Sequence, residues 1–140
     1  MGESAKQGKA AGATTGQITT KRRGDAAEQW ARRHLERQGL RWLASNFKTP
    51  GRGGGEIDLI LREPDGTVVF VEVRQRSRRD FGGAAASVSA LKQQRVVLAA
   101  RHYLQRLPRV PPCRFDVLLI DGPLDQDPAV TWLRAAFDAG

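Results

Sequence analysis

The sequence predicts an α/β fold in which helices cover a central mixed sheet, and three observations carry that prediction. Apolar residues recur at helical spacing over residues 24–38 and again from about 89 to 107. Between them, residues 56–61 and 68–74 alternate with a period of two, and Pro64-Asp65-Gly66 separates these stretches as a hairpin loop. At 140 residues, 40% of them hydrophobic, the chain suits one domain with a modest core.

The first 23 residues hold Lys6, Lys9, Lys21, Arg22 and Arg23 against Glu3 alone, among mostly Gly, Ala and Thr. That composition cannot bury a core, so residues 1–22 are expected to be a disordered basic tail and residues 23–140 the folded domain. In the helix at 24–38, Ala27, Trp30, Ala31 and Leu35 make the apolar stripe and Gly39 the stop. Glu28 lies at the margin of this stripe and has Arg32 one turn away as a surface partner. Residues 40–47 read as a strand. The loop 49–55 follows, and its Arg52-Gly53-Gly54-Gly55 run reads as flexible because no helix and lysine follow it.

The hairpin is the most informative segment. Pro64 suits the first central position of a type I turn and Gly66 the left-handed position after it, a three-residue loop with a G1 bulge. Glu63 then faces Thr67, Leu61 faces Val69, Leu59 faces Val71 and Ile57 faces Val73. Ile57, Leu59 and Leu61 should therefore share one face with the valines. The same register sets Asp58 opposite Glu72 and Glu56 opposite Arg74, whereas a two-residue turn would mix charged and apolar faces. Directly opposed carboxylates destabilise a sheet unless something offsets their repulsion. A hard divalent cation does so, being held by one or two carboxylates with sites left for a phosphate. The plainer alternative is a solvated face with a Glu56–Arg74 ion pair.

Beyond the hairpin, residues 82–86 form a small-residue loop and Ser87 or Ser89 caps a helix running to about Leu107. Its apolar side is read as Val97, Leu98, Ala100, Leu104 and Leu107. Lys92, near the start of this helix, reads as a solvated helix residue, the alternative being an amine lent to the carboxylates from another direction. Pro108, Pro111 and Pro112 precede a strand at 114–120, and residues 130–133 are a short strand or turn leading to Phe137. The long helix then acts as a crossover that sets the Phe115 strand parallel to the Glu72 strand, with the carboxylates near one sheet edge.

Net charge is +8, with 23 basic residues against 15 acidic. Arg74, Arg76, Arg78 and Arg79 cluster where the second hairpin strand ends, and a polyanion is the natural partner of such residues beside paired carboxylates. A single cysteine, Cys113, excludes a disulfide framework and a Cys-based zinc site. His34 and His102 have no ligand-spaced companions. No run of apolar residues suits a membrane span or a signal peptide, so a cytoplasmic protein is expected.

The combination Gly55-Glu56-Ile57-Asp58-Leu59-Ile60, then Val69-Phe70-Val71-Glu72-Val73-Arg74, resembles the bacterial YraN-like family. Ala27-Glu28 upstream and Phe81-Gly82-Gly83, Lys92-Gln93 and Arg114-Phe115-Asp116-Val117 downstream extend the resemblance from about Gly24 to the end of the chain. That family looks like a branch of the PD-(D/E)XK nucleases, related to Holliday-junction resolvases and restriction enzymes. The resemblance implies a restriction-endonuclease-like three-layer sandwich: a helix, a three-strand meander, a crossover helix and one or two further strands. It implies a Mg²⁺- or Mn²⁺-dependent endonuclease for branched or structured DNA, with Asp58 and Glu72 as metal ligands, Glu28 as the helix acid and Arg74 at the place of the usual catalytic lysine. Arginine stays charged, so Arg74 can stabilise phosphate charge but cannot act as a base. Arg52, Arg76, Arg78, Arg79 and Lys92 are the expected nucleic-acid contacts, and resolvases of this fold act as symmetric pairs, which makes a homodimer the corresponding assembly. A nucleic-acid-binding protein that has kept the scaffold and lost hydrolysis is the alternative.

Overall fold

A computed structural model of the chain describes residues 20–76 and 88–139, with side chains from residue 24 onward. The order is α1 (Thr20–Arg37), β1 (Arg41–Lys48), β2 (Glu56–Arg62), β3 (Val68–Arg76), α2 (Ala90–Leu104), β4 (Cys113–Asp121) and β5 (Ala129–Phe137). The five strands form one mixed sheet in the order β1-β2-β3-β4-β5. Only β3 and β4 run parallel, because α2 carries the chain across the sheet between them whereas short turns join the other neighbours.

Alternation along the strands builds a core on each face. Ala27, Ala31 and Leu35 of α1 pack on Leu59, Leu61, Val69, Val71, Leu118 and Ile120. On the other face Val96, Val97, Ala99 and Ala100 of α2 pack on Ile60, Val68, Phe70 and Phe115. The contact with α2 is close at Gly55, where an added Cβ would lie 2.4 Å from the Arg95 carbonyl oxygen and 2.5 Å from the Ala99 nitrogen. No described helix is long and apolar enough to cross a membrane.

The hairpin turn forms as its residues dictate. Gly66 has φ +97°, its N–H donates to the Glu63 carbonyl at 2.9 Å, and the Glu63 N–H donates to the Thr67 carbonyl at 2.8 Å. Asp65 Oδ1 accepts the Thr67 N–H at 2.9 Å and locks the loop. Leu61 pairs with Val69 and Leu59 with Val71, in the expected register. The pairing then stops. Ile57 joins the α2-side cluster instead of the face of Leu59 and Leu61, so the alternation breaks at Asp58.

Five other expectations change. Helix α1 starts at Thr20, four residues before the expected 24, while residues 1–19 of the basic tail lie outside the described residues. Leu98 is partly exposed, and the buried side of α2 is Val96, Val97, Ala99 and Ala100, the face that Gly55 admits. Leu107 lies beyond the end of α2. β5 is a nine-residue strand, not a short strand or turn. It extends the sheet beyond β4, so β3 is its central strand and the carboxylates sit mid-sheet, not near an edge.

Candidate metal centre

The break at Asp58 creates the site. Beyond Leu59 and Val71 the strands separate, and the Val73 N–H, which would continue the ladder in the turn-set register, donates instead to Asp58 Oδ2 at 2.9 Å. A side chain thus replaces a backbone acceptor and is fixed between the two strands. Asp58 is 8% exposed and Glu72 7%. Glu72 from β3 and Glu28 from α1 both lie within hydrogen-bonding reach of the Asp58 carboxyl. Helix α1 is held in place by its Ala27-Ala31-Leu35 stripe, and that packing delivers Glu28, one residue off the stripe, to the end of β2.

Electrostatics follow from the crowding. Burial, and then the neighbouring Asp58, raise Glu72 to about 8, with Lys92 acting in the opposite direction. Burial and Asp58 likewise raise Glu28 to about 7, opposed by a hydrogen bond from Asn46. Two carboxyls that hold protons near neutrality beside a third acid are a recurrent mark of functional sites. Glu28 Oε1 and Glu72 Oε1 are buried and have no hydrogen-bond partner, and neither does the buried Arg74 Nε. Native proteins pair nearly all such atoms, so two unpartnered carboxyl oxygens on acids that both meet Asp58 point to groups reserved for something else.

A positive group reaches the acids from α2. Lys92 stands in the first turn of α2, where the Ser89 hydroxyl caps the helix by accepting the Lys92 N–H at 3.1 Å. Its ammonium lies 3.3 Å from Glu72 Oε2. Lys92 is therefore a member of the acidic group and not the solvated residue that helical spacing alone suggests. Arg74 follows Glu72 by two residues on β3. Its expected cross-strand partner Glu56 aligns with Lys48 of β1, and no Glu56–Arg74 ion pair forms among the described residues. Glu28 also borders an open cavity of ≈ 610 Å³ shared with Arg32, Arg33, Ser45 and Asn46.

A divalent cation fits this donor set in its chemistry: hard carboxylate oxygens, two of them buried and unpartnered, in a pocket of excess acid. Among the described residues no three His, Cys, Asp or Glu side chains are grouped so as to hold a metal ion together, so the candidate rests on the Asp58–Glu72 pair. Both have resident neighbours: the Val73 N–H donates to Asp58 and the Lys92 ammonium lies on Glu72.

Of the expected nucleic-acid contacts, Arg52 is exposed in the 49–55 loop and Arg76 ends β3 with partners of its own. Arg78 and Arg79 lie outside the described residues. Sequence reasoning missed Asn46, whose left-handed backbone, φ +51°, marks a distortion in β1 where its side chain meets Glu28. An asparagine inside an otherwise strand-like run is the signal that pointed there.

The model of the uncharacterised protein family UPF0102 matches residues 27–120, a span that includes Glu28, Asp58, Glu72, Arg74 and Lys92. A UPF0102 protein of Polaromonas naphthalenivorans is 63% identical over 127 residues, covering 88% of this chain and 83% of the relative. One from Polaromonas sp. is 61% identical, covering 91% and 88%, and one from Cupriavidus taiwanensis is 58% identical, covering 84% and 83%. With the family model spanning most of the folded residues and relatives this similar over nearly their full lengths, the chain belongs to the UPF0102 family, the YraN-like proteins.

Proposed function

We propose that the protein is a divalent-metal-dependent endonuclease of restriction-endonuclease-like fold, acting on branched or otherwise structured DNA. One observation carries the reading: Glu28 of α1 and Glu72 of β3 both meet Asp58 of β2, each with a buried unpartnered oxygen, and the Lys92 ammonium lies 3.3 Å from Glu72. Asp58 and Glu72 would hold Mg²⁺ or Mn²⁺, which when bound supplies Lewis acidity and neutralises charge on the phosphate. Glu28, with its carboxyl raised to about 7 and its Asn46 contact, orients water on the cavity side of the acids. Arg74, two residues after Glu72 on β3 and with a buried Nε that has no partner, would stabilise negative charge developing on the phosphate.

Arg74 at the usual lysine position favours the second reading, a nucleic-acid-binding protein without hydrolysis. The two separate in a cleavage assay with Mn²⁺ on labelled four-way junctions, flaps and single strands. The endonuclease reading expects metal-dependent products that disappear in Asp58→Asn. Salt-sensitive binding with no product from any substrate would leave only the binding reading.

A further inference from the structure

The contact between Lys92 and Glu72 has a use beyond neutralising charge. Glu72 is almost fully buried and cannot turn away from Asp58, whereas Lys92 is 26% exposed and carries its ammonium on a flexible stem. The backbone of Lys92 is fixed by the Ser89 cap and by the close seat of α2 on Gly55. Only the side chain is free to move. An ammonium and a divalent ion on one carboxylate repel each other across a few Å in a site that solvent screens little. Of the two partners, the lysine has the way out.

We propose that Lys92 is a resident counter-ion which yields Glu72 to an arriving divalent cation, so that metal entry frees its ammonium to bind a phosphate of the nucleic acid. The inference rests on the metal reading above. Without metal, the Lys92 ammonium rests 3.3 Å from Glu72 Oε2 and offsets part of the crowding of the acids. With metal, the ammonium swings outward to solvent, and the site acquires a cation for the substrate phosphate. Metal and nucleic acid binding are thereby coupled, each tightening the other. Lys92 acts as a positioning and binding residue whose two partners alternate.

Two measurements on the full chain test this. In the first, Mn²⁺ is titrated calorimetrically into the wild type and Lys92→Met. Removing the competing ammonium should tighten Mn²⁺ binding by about tenfold, the usual scale for losing one nearby like charge. The same variant should lose most of the Mn²⁺-induced gain in affinity for a labelled DNA junction. In the second, lysine acetylation is followed by mass spectrometry with and without Mn²⁺. Lys92 should react several-fold faster when Mn²⁺ is present, while exposed Lys48 should not change. Mn²⁺ binding that is equal or weaker in Lys92→Met, or Lys92 reactivity unchanged when Mn²⁺ is bound, overturns the exchange and leaves the metal site standing. Absence of Mn²⁺ binding in both proteins overturns the metal reading and the exchange together. Lys92→Arg keeps the charge and serves as the folding control: it should hold Mn²⁺ affinity near the wild-type value.

Discussion

Asp116 and the pair Asp58–Glu72, which Glu28 joins from α1, are buried acids of one sheet, yet their surroundings treat them in opposite ways. Asp116 is fully buried, and every direction around its carboxylate is filled. Arg114 Nε donates to both oxygens at 3.0 and 3.1 Å, Trp132 Nε1 to Oδ2 at 2.8 Å, and the Ala135 N–H to Oδ1 at 2.9 Å. Glu63 then takes the far end of Arg114 at 2.7 Å. The other group has three acids, one ammonium at 3.3 Å and two buried oxygens with nothing to accept. A satisfied buried carboxylate holds a fold together; an unsatisfied set costs stability and is kept for chemistry. The contrast lies in the carboxyl oxygens of the two groups, since the buried atoms without a hydrogen-bond partner also include Asp121 Oδ1 and Arg114 Nη2, the latter in ion-pair contact with Glu63.

The largest effect that probes this contrast is Asp116→Ala. It strands Arg114, Trp132 Nε1 and the Ala135 N–H, so unfolding in urea should show a loss of about 3–5 kcal/mol. A loss below about 1 kcal/mol would mean that the Asp116 network is not structural. Gly55→Ala comes next: its Cβ would meet α2 backbone at 2.4 Å, and overpacking of this kind costs about 1–3 kcal/mol. The same displacement moves Lys92 away from Glu72, so Mn²⁺ affinity should change in this variant.

Glu72→Gln should have the opposite sign. Its folded carboxyl stands at about 8 against an ordinary 4.5, so the folded protein keeps a proton that the unfolded chain releases. Stability attached to that proton is complete below about pH 4.5 and drains away as pH rises through about 8. The variant removes this drain and should stabilise the metal-free protein at pH 8 by about 1–3 kcal/mol, with little change at pH 4. A pH-independent effect would contradict the buried acid pair. Asn46→Gly keeps the left-handed backbone while removing the contact that favours ionised Glu28. Its effect should be the smallest, about 0.5–1 kcal/mol, and should be seen as a further upward shift of the Glu28 carboxyl by NMR titration.

Much of this was legible in the residues, and the remainder shows what one-dimensional patterns leave out. Pro64-Asp65-Gly66 determined the hairpin register as far as Leu59 and Val71 because turn chemistry is local, and Asp58 meets Glu72 beyond the end of that ladder. The α1 stripe was legible for the same reason, since Ala27, Ala31 and Leu35 repeat at helical spacing. Ile57 was misplaced because strict alternation assumes an unbroken ladder, and the ladder ends where Asp58 accepts the Val73 N–H. Lys92 looked like a surface residue because its partner lies 20 positions away and is reached only through the packing of α2. β5 was underestimated because Ala135, at φ +51°, sits next to a register shift that the distant Asp116 holds in place. Long-range side-chain-to-backbone bonds were the common element in these departures.

Whether the unsatisfied acids are a metal site can be read from an anomalous-scattering map of a crystal soaked in Mn²⁺ at pH 8. A metal site gives a peak in contact with both Asp58 and Glu72, absent from an Asp58→Asn crystal, with Lys92 withdrawn from Glu72. A featureless site at millimolar Mn²⁺, with Lys92 still on Glu72, would contradict it.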